Sequence, residues 1–370
     1  MILVLHNRYR TTGGEERSVE DLLWLIREHL GEDAELLARD SALVGRVRAA
    51  AGLLGGGLGP DEVGRAVRRT GARIVHAHNL HPTLGWRALA AARDAGARVV
   101  LHLHQYRLVC AVGVCFTHGD ECTRCHGRNT LPGVLRNCRG SLVEAVSYGA
   151  ALALWQPRLA GLVDAFVVPS AFAQERLREL GAPVSDPYVL PPVIRRFARE
   201  SAAAEGRHAL VVARLAPEKG VDVAIEACRI ADVPLVVAGD GPERARLRAM
   251  AGPHVTFAGR VDDHELERLR RQATVALVPS RSGETFGLAA AEAMATGLPV
   301  LASRVGALPE LVPDEWLVPA GDPGALAAAI GRERDGVGQA GALAIDRARR
   351  LTEPGVVSDR LARIYAAVDD

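Results

Sequence analysis

Two glutamates mark the part of this sequence with the clearest potential for chemistry. Glu284 lies in a glycine-bearing loop, and Glu292 lies about one turn into the alanine-rich, helix-forming segment that follows. The apolar run Val275–Pro279 predicts a short buried strand before the loop, and Gly297 followed by leucine and proline predicts the end of the helix. Because the first amides of a helix have no internal hydrogen-bond partner, such a strand–loop–helix unit can hold a phosphate.

Spacing alone leaves a second interpretation open, since a carboxylate near a helix N-terminus is also ordinary dipole chemistry and many glycine-rich loops bind nothing. Residues 284–288 and 292–300 resemble the two-glutamate signature of glycosyltransferase family 4, retaining sugar-nucleotide enzymes of the two-Rossmann-domain GT-B fold. The resemblance implies that Glu284 contacts the donor sugar and that Glu292 accepts hydrogen bonds from the ribose hydroxyls. It also assigns donor contacts to the backbone that follows Glu284, at Thr285, Phe286, Gly287 and Leu288.

A basic pair follows a predicted strand in the second half of the chain. Arg214 and Lys219 would lie where the strand 208–213 ends and the next helix begins, and two cations there could neutralise a diphosphate. Without context they could equally be solvated surface charges. Residues 214–222 resemble the arginine–lysine diphosphate clamp of family 4, which implies that both side chains stabilise the departing nucleotide. In the same family, backbone groups near Arg260 and Val261 would contact the nucleotide base.

The first half of the chain carries three further candidates. Gly13 and Gly14 precede a helix pattern, and they resemble the glycine-rich loop that lies against the donor diphosphate in family 4. They do not form the Gly-x-Gly-x-x-Gly pattern of a dinucleotide-binding oxidoreductase. His104 ends a strand run and resembles the histidine-led loop that reaches the donor sugar, although Gln105 replaces the commoner aspartate. A hydrogen-bonded rim histidine is the alternative.

Five of the six cysteines lie between positions 110 and 138. The spacing Cys122-x-x-Cys125 is typical of a metal-binding knuckle, and zinc prefers four ligands. The predicted structural zinc site consists of Cys110, Cys122, Cys125 and Cys138, with Cys115, His118 and His126 as substitutes. A redox dithiol, a disulfide and free thiols are the alternatives.

Length and composition limit the classes of protein to which the chain belongs. With 370 residues it is expected to form two domains, and a net charge of +1 with 24% charged residues argues against a nucleic-acid-binding surface. Neither a signal peptide nor a membrane-spanning run is predicted, so a cytoplasmic location is expected.

Residues 45–60, rich in glycine and alanine, are typical of a mobile surface segment. Residues 141–154 predict a core helix, with contact to the membrane or a lipid-linked acceptor as the alternative.

The predicted fold class is α/β, with the two Rossmann-like domains of GT-B facing each other across a cleft. Residues 1–190 would bind the acceptor and carry the cysteine-rich insertion at about 108–140. Residues 191–350 would bind the nucleotide sugar, and residues 351–370 would form a helix that crosses back to the first domain.

The predicted activity is retaining transfer from a nucleotide-diphosphate sugar, with uracil as the expected base on family frequency. The chain contains no Asp-x-Asp triplet, so no catalytic metal is expected. The acceptor stays open between a polysaccharide precursor, a glycolipid and a small natural product, and so does the oligomeric state. The alternatives are a GT-B phosphorylase, a nucleotide-sugar epimerase and a sugar-nucleotide-binding protein without catalysis.

Overall fold

The chain forms two α/β units, each built on its own parallel sheet. This computed structural model describes residues 1–9 and 13–369, and of residues 333–339 it describes the backbone alone. Unit 1 comprises Met1–His118, Cys122–Val193 and the C-terminal segment from Pro354, while unit 2 comprises Gly119–Glu121 and Ile194–Glu353.

The first sheet is built from strands that are apolar over most of their length, as expected for strands covered on both faces. Its six strands are all parallel and follow the order β2-β1-β3-β4-β7-β8. The elements up to Val193 are β1 (Ile2–Arg8), α1 (Gly14–Glu28), β2 (Ala34–Asp40), α2 (Arg46–Gly55), α3 (Asp61–Thr70), β3 (Ile74–Ala77), α4 (Gly85–Asp94), β4 (Arg98–His102), β5 (Phe116–Thr117), β6 (Asp120–Glu121), α5 (Leu131–Leu135), α6 (Leu142–Ala160), β7 (Ala165–Val168), α7 (Ala171–Glu179) and β8 (Tyr188–Val189).

The second sheet has the same design. Its six parallel strands follow the order β11-β10-β9-β12-β13-β14. The elements from Ile194 to Glu353 are β9 (His208–Val212), α8 (Val221–Ala231), β10 (Leu235–Ala238), α9 (Arg244–Met250), β11 (Val255–Gly259), α10 (Asp263–Arg271), β12 (Ala273–Val278), α11 (Leu288–Ala295), β13 (Val300–Ser303), α12 (Leu308–Leu311), β14 (Leu317–Val318) and α13 (Pro323–Thr352). Two six-stranded parallel sheets flanked by helices confirm the predicted α/β class.

The last helix, α14 (Pro354–Asp369), belongs to unit 1. Its apolar face, with Leu361, Ile364 and Tyr365, shares a buried core with β1, β3 and β4. One face of the first sheet is therefore covered by the C-terminal end of the chain, and any polar group on that face is removed from water.

The segment at residues 45–60 lies at the surface, as Val47 with 86% exposure shows, but residues 46–55 form the helix α2 instead of an irregular loop. Its arginine, alanine and leucine residues are good helix formers, and α2 packs against α6. Gly56 ends the helix in the left-handed conformation, with φ of 76°. The glycines therefore terminate a helix rather than loosen a loop.

Helix α6 is buried on one face only. Ala145, Tyr148 and Leu152 lie in the interior, whereas Leu142 and Val143 are 61% and 74% exposed. Part of this helix is thus core, as predicted, and part presents apolar side chains to solvent. Within the part of the chain that the structure describes, no helix has the combined length and apolar character needed to cross a bilayer.

Candidate active site

The second sheet reverses its strand order between β9 and β12. The chain adds β10 and β11 on one side of β9 and then returns to place β12 on the other side. In open parallel sheets, the loops on either side of such a reversal separate and leave a crevice at the carboxyl ends of the strands. Arg214 and Lys219 follow β9, and Glu284 follows β12. Unit 2 therefore places three of the predicted catalytic residues at its switch point.

Lys219 and Glu284 form the central ion pair of this site. The Lys219 ammonium donates a hydrogen bond of 2.6 Å to Glu284 Oε1, and Ser280 Oγ donates one of 2.6 Å to the same oxygen. Burial alone would raise the pKa of Glu284, but the charge and hydrogen bond of Lys219, the Ser280 hydroxyl and the charge of Arg214 outweigh it and lower the pKa below its ordinary value. Glu284 is consequently an ionised hydrogen-bond acceptor at neutral pH.

Arg214 is held by an acidic residue that the sequence analysis missed. Its guanidinium pairs with the Glu218 carboxylate, whose side chain is 10% exposed, while 51% of the Arg214 side chain stays exposed. The amide of Arg281 donates a hydrogen bond of 2.8 Å to the Glu218 carbonyl oxygen, which joins the two loops at the switch point. Arg214 thus presents a fixed, half-exposed cation with several N–H donors, a group well suited to a phosphate.

Two glycines let the site loops pack at short range. Gly220 has a φ of +61°, and a Cβ there would lie 2.0 Å from the carbonyl oxygen of Pro279. Gly306 also has a φ of +61°, and its Cβ would lie 2.3 Å from the amide nitrogen of Glu284. Larger residues would push the loops after β9, β12 and β13 apart, so the position of Glu284 depends on both glycines.

The predicted donor-binding backbone leads into helix α11. Phe286 is buried, Gly287 is the N-cap in the left-handed conformation, and Leu288 begins the helix. Gly287 has no side chain that could cap this end of α11. The first amides of a helix have no partner within the helix, so this end could receive an oxyanion, which is the site that the spacing of the loop predicts.

Glu292 lies further along α11 and has a different partner. Its carboxylate pairs with the guanidinium of Arg270 on α10, and the two side chains are 11% and 8% exposed. Arg260 and Val261 follow β11 at the carboxyl edge of the same sheet, where Arg260 is exposed. The structure therefore groups Arg214, Lys219 and Glu284, and it adds a buried ion pair at the predicted ribose ligand.

In unit 1, the Gly13 amide donates a hydrogen bond of 2.8 Å to Glu16, and the Tyr9 amide donates one of 3.0 Å to the same carboxylate. Burial alone would raise the pKa of Glu16, but the imidazole of His6 and these amides outweigh it and lower the pKa. Gly13 and Gly14 begin α1 as predicted, but the sequence analysis missed Glu16. Its position three residues after the N-cap is the spacing of a capping box, which was the available signal.

His104 lies just beyond β4 and is partly exposed. Its Nε2 is hydrogen-bonded to Nδ1 of His78 at 2.8 Å, and its ring stacks on that of His102 with the centroids 4.2 Å apart. Burial is the main reason that the pKa of His104 is lowered. The predicted catalytic histidine is thus the outermost member of a row of histidines on the first sheet.

The cysteines proposed as zinc ligands lie around one small pocket in unit 1. Cys110, Cys122, Cys125 and Cys138 all line it, and each carries a free thiol. A hydrogen bond with Cys115 is the main cause that lowers the pKa of Cys110 to about 6, whereas burial raises the pKa of Cys125. Among the described residues, a group of three potential metal ligands with all ligand atoms within 4.8 Å of one another consists of histidines. The four thiols do not form such a group. The zinc site stays a prediction.

Two family models and several known glycosyltransferases match the sequence of this chain. Residues 206–333 match the family model described as "Glycosyl transferases group 1", and residues 14–193 match that of the "Glycosyl transferase 4-like domain". The chain is 30% identical to a phosphatidyl-myo-inositol mannosyltransferase of Mycolicibacterium smegmatis, over 73% of this chain and 71% of the relative. A second such enzyme, from Mycobacterium leprae, is 29% identical over 73% of each chain.

Solved structures share the fold at low sequence identity. Sucrose-phosphate synthase from Thermosynechococcus elongatus matches with a TM-score of 0.70 and 19% identity, covering 99% of this chain and 98% of the other. HepE from Anabaena, in complex with UDP-glucose, matches with a TM-score of 0.66 and 16% identity over 99% of each chain. The two parallel-sheet units, the two family models and the mannosyltransferase relatives lead to one conclusion: the chain belongs to the GT-B glycosyltransferases of family 4.

Proposed function

We propose that this glycosyltransferase transfers a sugar from a nucleoside diphosphate sugar to its acceptor with retention of anomeric configuration. The observation that carries the proposal is the arrangement at the switch point of unit 2, where Lys219 and Arg214 flank the ionised Glu284. A site with two cations, helix amides and a well-held carboxylate matches a ligand that joins a diphosphate to a polyhydroxylated ring.

The two cations act on the leaving group. Cleavage of the anomeric bond leaves negative charge on the diphosphate, and groups already oriented toward that charge lower the barrier. An ammonium has three N–H donors, so Lys219 can hold Glu284 and still donate to a phosphate oxygen. Arg214 is half-exposed while its partner Glu218 is buried, so its remaining donors face solvent-accessible space. These side chains would perform the neutralisation that a divalent metal performs elsewhere, and catalysis would proceed without one.

Glu284 is proposed to position the sugar. Its carboxylate is ionised and is held by Lys219 and Ser280, which suits it to accept hydrogen bonds from sugar hydroxyls. The first amides of α11, after Thr285, Phe286 and Gly287, would complete the contacts to the donor. Glu292 would accept the ribose hydroxyls while Arg270 fixes its orientation.

The base of the donor separates two versions of the proposal. The resemblance to family 4 favours uracil, read by backbone near Arg260 and Val261. One relative, from Mycobacterium tuberculosis, is named a GDP-mannose-dependent mannosyltransferase and is 36% identical over 42% of this chain. UDP-sugars and GDP-mannose are therefore the two donors to be compared first.

Unit 1 is proposed to bind the acceptor and to contact the membrane surface peripherally. Leu142, Val143 and Val146 at the start of α6 are at least half exposed, and so are Leu131 and Leu135 in α5. A cluster of exposed apolar side chains of this kind suits an interfacial contact. The mannosyltransferase relatives are named for phosphatidyl-myo-inositol, so a glycolipid acceptor is the first class to test.

The cysteine-rich insertion, which resembles the same region in a subset of family 4 sequences, is proposed to carry a structural zinc ion. The four thiols already line one pocket, and thiolates are strong zinc ligands. Elemental analysis of chelator-washed protein tests the assignment, with Cys122→Ser/Cys125→Ser as the variant. Zinc content that is unchanged by the double substitution contradicts the cysteine site.

The activity is tested by incubating the purified chain with UDP-sugars and GDP-mannose, with and without a lipid acceptor. The proposal predicts release of nucleoside diphosphate and, in the product, the same anomeric configuration as in the donor by NMR. An inverted product removes the retaining assignment. Sugar 1-phosphate formation without any nucleotide would instead make the chain a phosphorylase.

A further inference from the structure

A row of histidines crosses the first sheet in unit 1. His76 lies in β3, His78 directly follows it, and His102 ends β4. The register pairs His76 with Val100, so the alternate residues 76, 78, 100 and 102 share one face of the sheet. That face is the one covered by α14, whose Tyr365 lies in the same core as Val100. We refer to His76, His78 and His102 as the histidine cluster.

The histidine cluster has the spacing of a metal site. One ring nitrogen from each residue lies within 4.8 Å of one ring nitrogen of the other two. Imidazole nitrogens bind zinc at about 2.0–2.1 Å. The rings of His76 and His78 are stacked with an interplanar angle of 7°, so they would have to tilt toward each other for all three nitrogens to reach one ion. Neutral imidazole is a preferred ligand of zinc and neighbouring transition metals.

Four ring nitrogens of the histidine cluster have no hydrogen-bond partner among the described residues. His76 Nε2, His78 Nε2 and both ring nitrogens of His102 are buried without a hydrogen bond. The three residues are 0%, 3% and 7% exposed. Leaving a buried polar atom unsatisfied costs about 1–3 kcal/mol, so several such atoms on three neighbouring rings indicate a ligand that satisfies them together.

The Nδ1 atoms of His76 and His78 are hydrogen-bonded. In metal-binding histidines, the ring nitrogen that does not bind the metal is usually hydrogen-bonded in this way. His76 Nδ1 is hydrogen-bonded to the Tyr365 hydroxyl at 2.8 Å, and His78 Nδ1 to His104 Nε2 at 2.8 Å. When each Nδ1 carries the proton and donates it, each Nε2 presents its lone pair to the interior. In that tautomer, the Tyr365 hydroxyl and the His104 ring hold the two imidazoles with their Nε2 atoms available to a metal ion.

We propose that His76, His78 and His102 form a binding site for a divalent transition metal ion of the zinc class. With three protein ligands, the site keeps a fourth position for water or another small ligand. The assignment is separate from the cysteine pocket and does not rest on the donor-binding function of unit 2.

Cobalt titration of the full-length chain distinguishes the two candidate metal sites. In a Cys122→Ser/Cys125→Ser background, chelator-treated protein is titrated with Co²⁺ and followed in the visible range. We expect binding of one Co²⁺ per chain with the visible bands of a tetrahedral nitrogen-ligated ion and without the near-ultraviolet thiolate charge-transfer bands. Adding His102→Asn should weaken Co²⁺ binding about 100-fold or more, and adding Tyr365→Phe about 10-fold. Adding His264→Asn, which changes an exposed histidine of unit 2, should have no effect.

Circular dichroism and thermal unfolding show whether each variant folds. If His102→Asn does not fold, X-ray absorption of the zinc-loaded Cys122→Ser/Cys125→Ser background gives the ligands directly, and three imidazole ligands are expected. Absence of visible bands in the folded background, zinc scattering without imidazole, or Co²⁺ affinity that is unchanged by His102→Asn would each overturn the proposal.

Discussion

The two sheets reverse their strand order in the same way but place different chemistry at the reversal. In unit 2 the switch point between β9 and β12 is lined by charges, with Lys219 paired to Glu284 and Arg214 paired to Glu218. In unit 1 the reversal lies between β1 and β3, where Asn7 is buried among neutral hydrogen-bonding groups. Topology supplies a ligand-binding edge in both units, and the residues after the strands decide which ligand fits.

At the end of β1 in unit 1, Asn7 is the centre of a hydrogen-bond network. Asn7 donates to Ser41 Oγ at 2.6 Å and accepts from Thr83 Oγ1 at 2.5 Å, while Asn79 donates to the Asn7 carbonyl oxygen at 2.6 Å. These contacts fix the edge through neutral groups, and the Arg39 guanidinium adds a hydrogen bond of 2.9 Å to the Thr83 carbonyl oxygen. At the switch point of unit 2, the Arg214 and Lys219 side chains are 51% and 28% exposed, so we expect phosphate recognition to reside mainly in unit 2.

Removing the cations of unit 2 should have the largest effect. We expect Arg214→Ala and Lys219→Ala each to lower kcat by about two powers of ten or more, which corresponds to about 2.7 kcal/mol of transition-state stabilisation. Arg229→Ala is the matched control, because Arg229 forms a surface ion pair with Glu226 on α8. Steady-state kinetics with the best donor measure all three variants. Near-normal turnover in both site variants would refute the role of the pair.

Glu292→Gln should lower nucleotide affinity and also destabilise the fold. From sequence alone its cost in stability would be small, but the buried pairing with Arg270 predicts a loss of about 2 kcal/mol. The double variant Glu292→Gln/Arg270→Met should recover much of the stability without recovering nucleotide affinity. Urea unfolding and calorimetric nucleotide titration separate the two effects. Normal nucleotide affinity in Glu292→Gln would remove Glu292 from the ribose site.

Gly306→Ala should lower activity through the position of Glu284. The new Cβ would lie 2.3 Å from the Glu284 amide nitrogen, so the loop has to move. We expect a loss of turnover of about tenfold. Gly321→Ala is the control, since Gly321 has a φ of +75° but no atom within 4 Å of its Cβ. That variant should pay a conformational cost of about 1 kcal/mol and keep its activity. Equal activity in the two variants would show that Gly306 does not position Glu284.

The smallest effect is expected in the pH dependence of stability. Because the pKa of Glu284 is lower in the folded protein than in the unfolded chain, its ionised form stabilises the fold fully above pH 4.5, its ordinary pKa, and progressively less below it. The stability difference between wild type and Glu284→Gln should therefore shrink as pH falls from about 6 to about 3. Glu315→Gln, at an exposed position, should match wild type within about 0.5 kcal/mol. A difference that does not change with pH would contradict the lowered pKa.

Local patterns predicted the strands and the helix around Glu284 but not the side-chain contacts between elements. The run Val275–Pro279, the helix-forming segment after Gly287 and the strand at Val300 correspond to β12, α11 and β13. The contact between Lys219 and Glu284 depends on the sheet order that places β12 beside β9, which short-range patterns do not contain. The resemblance to family 4 identified Lys219 and Glu284 as site residues. They come into contact because β12 pairs with β9 in the sheet.

The residues that the sequence analysis missed share one cause. Glu218 and Arg270 are unremarkable charges until the fold pairs them with Arg214 and Glu292 in partly buried positions. His76 in β3 and His78 directly after β3 are two residues apart, a pattern that is visible in the sequence. Only the register with β4 shows that His102 joins them. Side-chain partners across strands and helices are set by tertiary packing, which no local pattern contains.

The most direct test of the account is calorimetric titration of the wild-type chain with nucleoside diphosphates and the matching nucleosides. UDP and GDP are compared with uridine and guanosine, in wild type and in the double variant Arg214→Ala/Lys219→Ala. We predict that wild type binds one diphosphate about 100-fold more tightly than its nucleoside, through charge-assisted hydrogen bonds, and that the double variant loses this preference. Equal affinity for diphosphate and nucleoside in wild type, or a preference that survives the double substitution, would contradict the central claim.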